Sequence, residues 1–155
     1  MFVSKNLSVN ENGNLTIGGV DTVSIAKEYG TPAYVMDENL IRENCRSFKN
    51  SIDKYYEGKG LACYASKAFC CKAICKIILD EGMGLDVVSS GELFTAINVK
   101  FPAEKICFHG NNKTDDELTL ALSHGVGRII VDNLFELERL DKLAGKLHKK
   151  PNIMF

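Results

Sequence analysis

One pattern occurs three times in this chain of 155 residues: a helix-like segment ends, a G-x-G turn follows, and a short apolar strand begins. The turns lie at residues 58–60, 82–84 and 125–127, and the strands that follow them lie at 61–66, 85–88 and 128–131. The first glycine of each turn suits the left-handed cap that ends many helices. Helices that alternate with apolar strands predict a parallel α/β sheet. Because these turns precede strands, they do not match the dinucleotide-binding fingerprint, which opens a helix.

Local patterns also predict the elements outside this repeat. Strand-like runs at 7–9 and 15–17 flank a turn-rich loop, so the chain should begin with a β-hairpin. Hydrophobic periodicity and breaker residues predict a helix at 23–29, a buried strand at 33–36 and a strand at 106–108. Capping residues predict a helix that begins after Asp37 and ends near Tyr55, and capping boxes at 89–92 and 114–117.

The two ends of the chain suggest a piece of a longer protein. Residues 152–155 look like the start of another strand, which would leave the βα series unfinished. The N-terminal hairpin has no predicted sheet to join. We therefore expect residues 1–30 to belong to a second, β-rich domain and residues 31–155 to be the first units of an incomplete barrel. A small open sheet that ends near Phe155 is the alternative.

Composition limits the classes of function. The formal net charge of −1 provides no basic surface for nucleic acid. The sequence contains no signal peptide and no apolar run long enough to cross a bilayer, so a cytoplasmic protein is expected. The cysteines have no C-x-x-C spacing, which favours reduced thiols in the core over disulfides or a metal site. They are Cys45, Cys63, Cys70, Cys71, Cys75 and Cys107.

Polar side chains that could carry chemistry follow the predicted strands. Lys67 ends the first strand of the repeat, Asp86 lies in the second, and His109 follows the strand at 106–108. The carboxyl ends of parallel strands meet at one edge of a sheet, where α/β proteins bind ligands. A lysine there, partly desolvated, can hold an aldehyde cofactor as an imine. The alternatives are that Lys67 extends into water, that Asp86 caps a helix or pairs with a lysine, and that His109 is an ordinary loop histidine.

Three motifs at these strand ends carry a resemblance to a known family. They are YASKA at residues 64–68, LDVVSSGEL at 85–93 and FHGNNK at 108–113. In order and spacing they resemble the signatures of the fold-type III pyridoxal-phosphate decarboxylases, and the third has the form typical of diaminopimelate decarboxylases. The likeness extends from the hairpin to Phe155. One departure is Phe69, where the family usually has asparagine.

The resemblance implies a fold and a set of roles. The fold would be part of an alanine racemase-like (β/α)8 TIM barrel, with the N-terminal hairpin belonging to a β-rich domain. Lys67 would be the catalytic residue and would bind pyridoxal 5'-phosphate covalently. Asp86 and His109 would also contact the cofactor, and Glu92 would support the second loop. No metal is implied. The implied partners are an amino-acid substrate and a second subunit of a homodimer.

The implied reaction is decarboxylation of meso-2,6-diaminopimelate to L-lysine. The family's phosphate-binding loop has no counterpart in residues 1–155, so this chain alone is expected to have negligible activity. Two alternatives stay open. One is a related decarboxylase of ornithine, arginine or carboxynorspermidine. The other is a non-catalytic piece that binds a full-length homologue.

Overall fold

The structure, a computed structural model, describes residues 2–155. These residues form two compact units, one that ends at Ser47 and one that extends from Phe48 to Phe155. No helix in the described part of the chain is both long enough and apolar enough to span a membrane.

The first unit contains the predicted hairpin. Strands β1 (Leu7–Val9) and β2 (Leu15–Ile17) pair antiparallel, as the sequence predicts. A short third strand, β3 (Val20–Asp21), pairs with β2 and was not predicted. Helix α1 (Thr22–Tyr29) begins at Asp21, whose side chain accepts a hydrogen bond from the backbone N–H of Val23 at 2.7 Å.

The predicted strand at residues 33–36 is wrong. This segment is extended but pairs with no strand among residues 2–155, and its large side chains are exposed, Tyr34 fully so. An apolar run of strand length becomes a strand only where a neighbour satisfies its backbone groups and covers its side chains. Neither condition can be read from the run itself.

Helix α2 (Glu38–Tyr55) begins in the first unit and ends in the second. The predicted cap is confirmed, because Asp37 accepts a hydrogen bond from the backbone N–H of Leu40 at 3.2 Å. Hydrogen bonds from the Asn6 side chain and from this N–H hold the pKa of Asp37 below its ordinary value.

The second unit is a five-stranded parallel sheet whose strand order follows the chain. A helix lies between each of the first four strands and the strand that follows it. In a doubly wound sheet the order reverses at a switch point, so this order is that of consecutive barrel units. The elements are β4 (Cys63–Ala65), α3 (Lys72–Asp80), β5 (Gly84–Val87), α4 (Ser90–Asn98), β6 (Ile106–Phe108), α5 (Asp115–His124), β7 (Arg128–Ile130), α6 (Leu134–Lys146) and β8 (Ile153–Met154).

Helices and strands of this unit share one apolar core. The strands contribute Leu85 and Phe108 to this core, and the helices contribute Ile78, Leu93 and Leu118. All five side chains are fully buried. The turns of the repeat have the predicted backbone, since Gly58, Gly82 and Gly125 have φ values of 72°, 75° and 67°. The packing of this core and the turns before the strands together determine where each strand ends. The strand ends form the edge of the sheet that carries the polar residues.

Candidate functional site

The three candidate residues lie at the carboxyl edge of the sheet. Ala65 of β4 is opposite Asp86 of β5, and Val87 is opposite Phe108 of β6. Lys67 follows β4 in a short 3-10 turn, Ser66–Ala68, and His109 follows β6 directly. The edge predicted from the sequence therefore exists, and it carries all three side chains.

Asp86 and His109 are in direct contact. The Nδ1 atom of His109 lies 3.0 Å from Oδ1 of Asp86. An ionised carboxylate can only accept hydrogen bonds, so the proton resides on Nδ1 of the imidazole. This leaves Nε2 as the nitrogen that can accept a proton or a hydrogen bond. The backbone N–H of His109 also donates to the carbonyl of Val87 at 2.8 Å, which continues the β5–β6 ladder by one residue.

Lys67 is exposed, and its amine forms no ion pair within residues 2–155. The turn that carries it is held by its neighbours. The hydroxyl of Tyr64 donates to the carbonyl of Phe69 at 3.0 Å, and burial raises the pKa of that phenol. Ser66 is 2% exposed, and its Oγ has no partner in the described chain. The backbone of the turn is thus fixed, while the side chain of Lys67 stays exposed at the edge of the sheet.

The loop after β5 is held by Glu92. Its Oε2 accepts a hydrogen bond from the backbone N–H of Val88 at 2.8 Å. Ser89 caps α4 by accepting from the N–H of Glu92 at 3.3 Å. The predicted capping box at 89–92 is therefore only half formed, because the Glu92 carboxylate binds Val88 in place of the cap residue. This is the support of the second loop that the resemblance implied for Glu92.

Glu117 joins the loops that follow β5 and β6. One carboxylate oxygen accepts from the backbone N–H of Ser90 at 2.9 Å, and the other accepts from Thr114, which closes the predicted capping box at 114–117. Partial burial would raise the pKa of Glu117, but the hydrogen bonds from Thr114 and Ser90 outweigh it, and the pKa lies below its ordinary value of 4.5.

We expect Glu117→Gln to lower stability at pH 7 but not in acid. A carboxyl group whose pKa is lower in the folded state stabilises the protein above its unfolded pKa, and this contribution is lost as pH falls through the folded pKa. Glutamine keeps one acceptor oxygen, so the loss at pH 7 should be about 1 kcal/mol. Urea unfolding from pH 7 to pH 3 measures it, with the exposed Glu138→Gln as control. If the difference in unfolding free energy between the wild type and Glu117→Gln stayed constant below pH 4.5, the lowered pKa of Glu117 would be contradicted.

Lys113 has a different place from the one its motif suggests. It belongs to the polar cluster after β6, yet it is 2% exposed and turns into the protein. Its Nζ atom donates to the carbonyl of Gly110 at 2.6 Å, the carbonyl of Ile130 at 2.9 Å and Oε1 of Glu136 at 2.7 Å. Sequence reasoning missed this pair, because a lysine in a polar loop and a glutamate in the first turn of a helix both look solvent-exposed.

None of the six cysteines forms a disulfide in the described residues. Cys45 and Cys75 are buried, as expected for small core residues, and the other four are half-buried. Burial, together with the neighbouring Cys107, raises the pKa of Cys63 to about 12. A thiol with this pKa stays neutral at physiological pH, so Cys63 serves as a packing group and not as a nucleophile.

The edge therefore carries one exposed amine and a carboxylate–imidazole pair, a set of groups that fits an aldehyde cofactor with a polar ring. Comparison with known proteins identifies the family. Residues 38–154 match the pyridoxal-binding domain of the pyridoxal-dependent decarboxylases. A diaminopimelate decarboxylase of Bacillus methanolicus is 49% identical over 154 residues, and that of Bacillus subtilis is 48% identical over 144.

These alignments cover 99% and 93% of this chain but 35% and 33% of the relatives, so the chain spans about a third of their length. The crystal structure of diaminopimelate decarboxylase from M. jannaschii in complex with L-lysine matches the fold with a TM-score of 0.86 at 31% identity. That match covers 99% of this chain and 36% of the other.

Proposed function

This chain belongs to the pyridoxal-dependent decarboxylases, and we propose that the protein containing it converts meso-2,6-diaminopimelate to L-lysine. The fold predicted from the sequence, part of an alanine racemase-like (β/α)8 barrel, is confirmed, and the family's cofactor is pyridoxal phosphate. The observation that carries the proposal is the exposed amine of Lys67 on the same edge as the Asp86–His109 pair. The choice of substrate is supported by relatives at 49% and 48% identity that bear this name.

We assign each of the three residues a role toward the cofactor. Lys67 is the catalytic residue, and its amine is the group that binds the cofactor's aldehyde. Asp86 and His109 bind the cofactor, and Asp86 also fixes the proton of His109 on Nδ1. When bound, the cofactor's pyridine ring takes up the electron pair that decarboxylation releases. The part played by this chain is to present the amine, orient the imidazole and hold the loops that carry them.

We further propose the setting in which these residues work. Residues 1–30 would belong to a β-rich domain and residues 31–155 to the barrel. The active enzyme would be a homodimer with a small amino-acid substrate. The absence of disulfides among the six cysteines of the described residues suits a reducing compartment, which supports the cytoplasm as the location.

Two assays test the proposal. The protein containing this chain is loaded with pyridoxal phosphate, reduced with borohydride and mapped by mass spectrometry. Release of carbon dioxide is then measured with meso-diaminopimelate, L-ornithine, L-arginine and carboxynorspermidine. We expect an adduct on Lys67 and fastest turnover of diaminopimelate. Preference for another substrate would show that the protein is one of the related decarboxylases. An absence of both adduct and turnover would show that the chain is a non-catalytic piece.

A further inference from the structure

The ion pair between Lys113 and Glu136 is almost completely buried, and Lys113 also bonds Gly110, the residue after His109. The two side chains are 1% and 4% exposed, and Nζ of Lys113 lies 2.7 Å from Oε1 of Glu136. Nζ is also 5.9 Å from the ring centre of Phe108, the last residue of β6. Every donor of the ammonium group is used, since three acceptors lie within hydrogen-bond distance.

A buried ion pair contributes little net stability, because the cost of removing two charges from water offsets their attraction. Proteins in which apolar side chains of similar volume replace such a pair are commonly as stable or more stable. What an ammonium group provides, and an apolar side chain cannot, is three directed hydrogen bonds at once. Here two of them hold backbone carbonyls at the ends of neighbouring strands: that of Gly110, in the loop after β6, and that of Ile130, the last residue of β7.

Gly110, whose carbonyl accepts from Lys113, follows His109 directly. Gly110 has a φ of +116°, a conformation that glycine adopts readily and that residues with side chains rarely adopt. On the other side, the backbone N–H of His109 donates to Val87 at 2.8 Å. The backbone of His109 is therefore fixed on one side by the sheet and on the other by Lys113, and its ring is fixed by Asp86.

We infer that Lys113 and Glu136 are positioning residues that hold His109 in contact with Asp86. The inference rests on the proposed function for its catalytic consequence, but its geometric part stands on the contacts alone. Glu136 takes part by fixing the ammonium group and is itself placed by Asn133, whose side chain accepts from the N–H of Glu136 at 2.9 Å.

The test removes the hydrogen bonds without leaving a buried charge. Lys113→Met alone would strand Glu136, and this variant could fail to fold. The double variant Lys113→Met/Glu136→Leu replaces both charges with apolar groups and should fold. Asp115→Ala is the matched control, since it breaks a different, exposed ion pair on the same helix α6, the one between Arg139 of α6 and Asp115 of α5.

Two readouts are measured on the protein containing this chain. The first is the 15N signal of His109 Nδ1, for which Asp86→Ala, which removes the acceptor oxygen, gives the reference for a lost contact. The second is turnover of diaminopimelate. For the double variant we expect the signal to move toward the reference, with a circular dichroism spectrum like that of the wild type. We also expect kcat to fall about 10- to 100-fold, because a shift of about 1 Å in a catalytic group costs that much. Asp115→Ala should change neither.

The outcomes separate this inference from the proposed function. An unchanged His109 signal and a kcat within about twofold of wild type would overturn the positioning role while the decarboxylase assignment stood. A displaced signal in a protein that forms no cofactor adduct would keep the positioning role and overturn the assignment. A displaced signal with full activity would overturn the catalytic consequence.

Discussion

Replacing Lys67 with alanine should abolish the borohydride-trapped cofactor adduct and reduce kcat/KM by on the order of 10³-fold or more, the loss typical of removing a covalent nucleophile. The reason is the position of the amine. It lies at the carboxyl edge of the sheet, exposed and without an ion pair in residues 2–155, on a turn that Tyr64 holds by its bond to Phe69. Because Lys67 has no structural partner there, the variant should keep the stability of the wild type.

Two companion variants make this experiment specific. Lys67→Arg keeps the positive charge but lacks a primary amine, so it should fail to form the adduct as completely as alanine does. Lys76→Ala removes an exposed primary amine from the nearby helix α3 and should leave adduct and turnover intact. An adduct that persisted in Lys67→Ala, mapped to another lysine, would refute the assignment of Lys67.

Much of the site was accessible from the sequence because local patterns determine it. The helix–turn–strand repeat predicts parallel strands, and because parallel strands end at one edge of a sheet, it places Lys67, Asp86 and His109 on that edge. The length of each strand then determines which residues lie at that edge of the sheet. Local signals also predicted the hairpin, the Asp37 cap and the capping box at Thr114.

Features that depend on distant partners could not be predicted. Residues 33–36 have the composition of a strand, but pairing is a property of the neighbouring backbone and not of the run. Lys113 lies in a polar motif, and only the fold reveals that Gly110, Ile130 and Glu136 converge on it. Glu117 was predicted to bind Thr114, yet its second bond, to Ser90, spans 27 residues of sequence. Each of these contacts joins segments that the chain brings together only when the sheet forms.

The second glycine of each G-x-G turn has a role that the sequence does not explain, whereas the first has an evident role in the helix cap. In the structure, the turn at 125–127 packs against the backbone that leads into β6. The N–H of Gly127 donates to the carbonyl of Ala103 at 2.7 Å. A Cβ atom on Gly127 would overlap the carbonyl group of Glu104, with its carbon atom only 2.5 Å away.

Gly127→Ala should therefore be the most destabilising single methyl addition among the glycines of the parallel sheet. The obstacle is backbone, which cannot rotate aside as a side chain does, so the start of β7 must move away from Glu104. Overpacking of this kind costs about 1 to 3 kcal/mol and occasionally more. For a domain of about 150 to 250 residues, each kcal/mol lowers the melting temperature by about 2 to 4 °C.

Gly145→Ala is the matched control, because it adds the same methyl group to the interior of α6, where nothing lies within 4 Å. Alanine is favoured over glycine in a helix by about 0.5 to 1 kcal/mol, so this variant should melt slightly above the wild type. The two variants should thus shift the melting temperature in opposite directions, because the added methyl group overlaps backbone at residue 127 and meets open space at residue 145, where the preference of helices for alanine decides the sign. If Gly127→Ala melted with the wild type, the close contact of β7 with Glu104 would not be a constraint, and the second glycine would need another explanation.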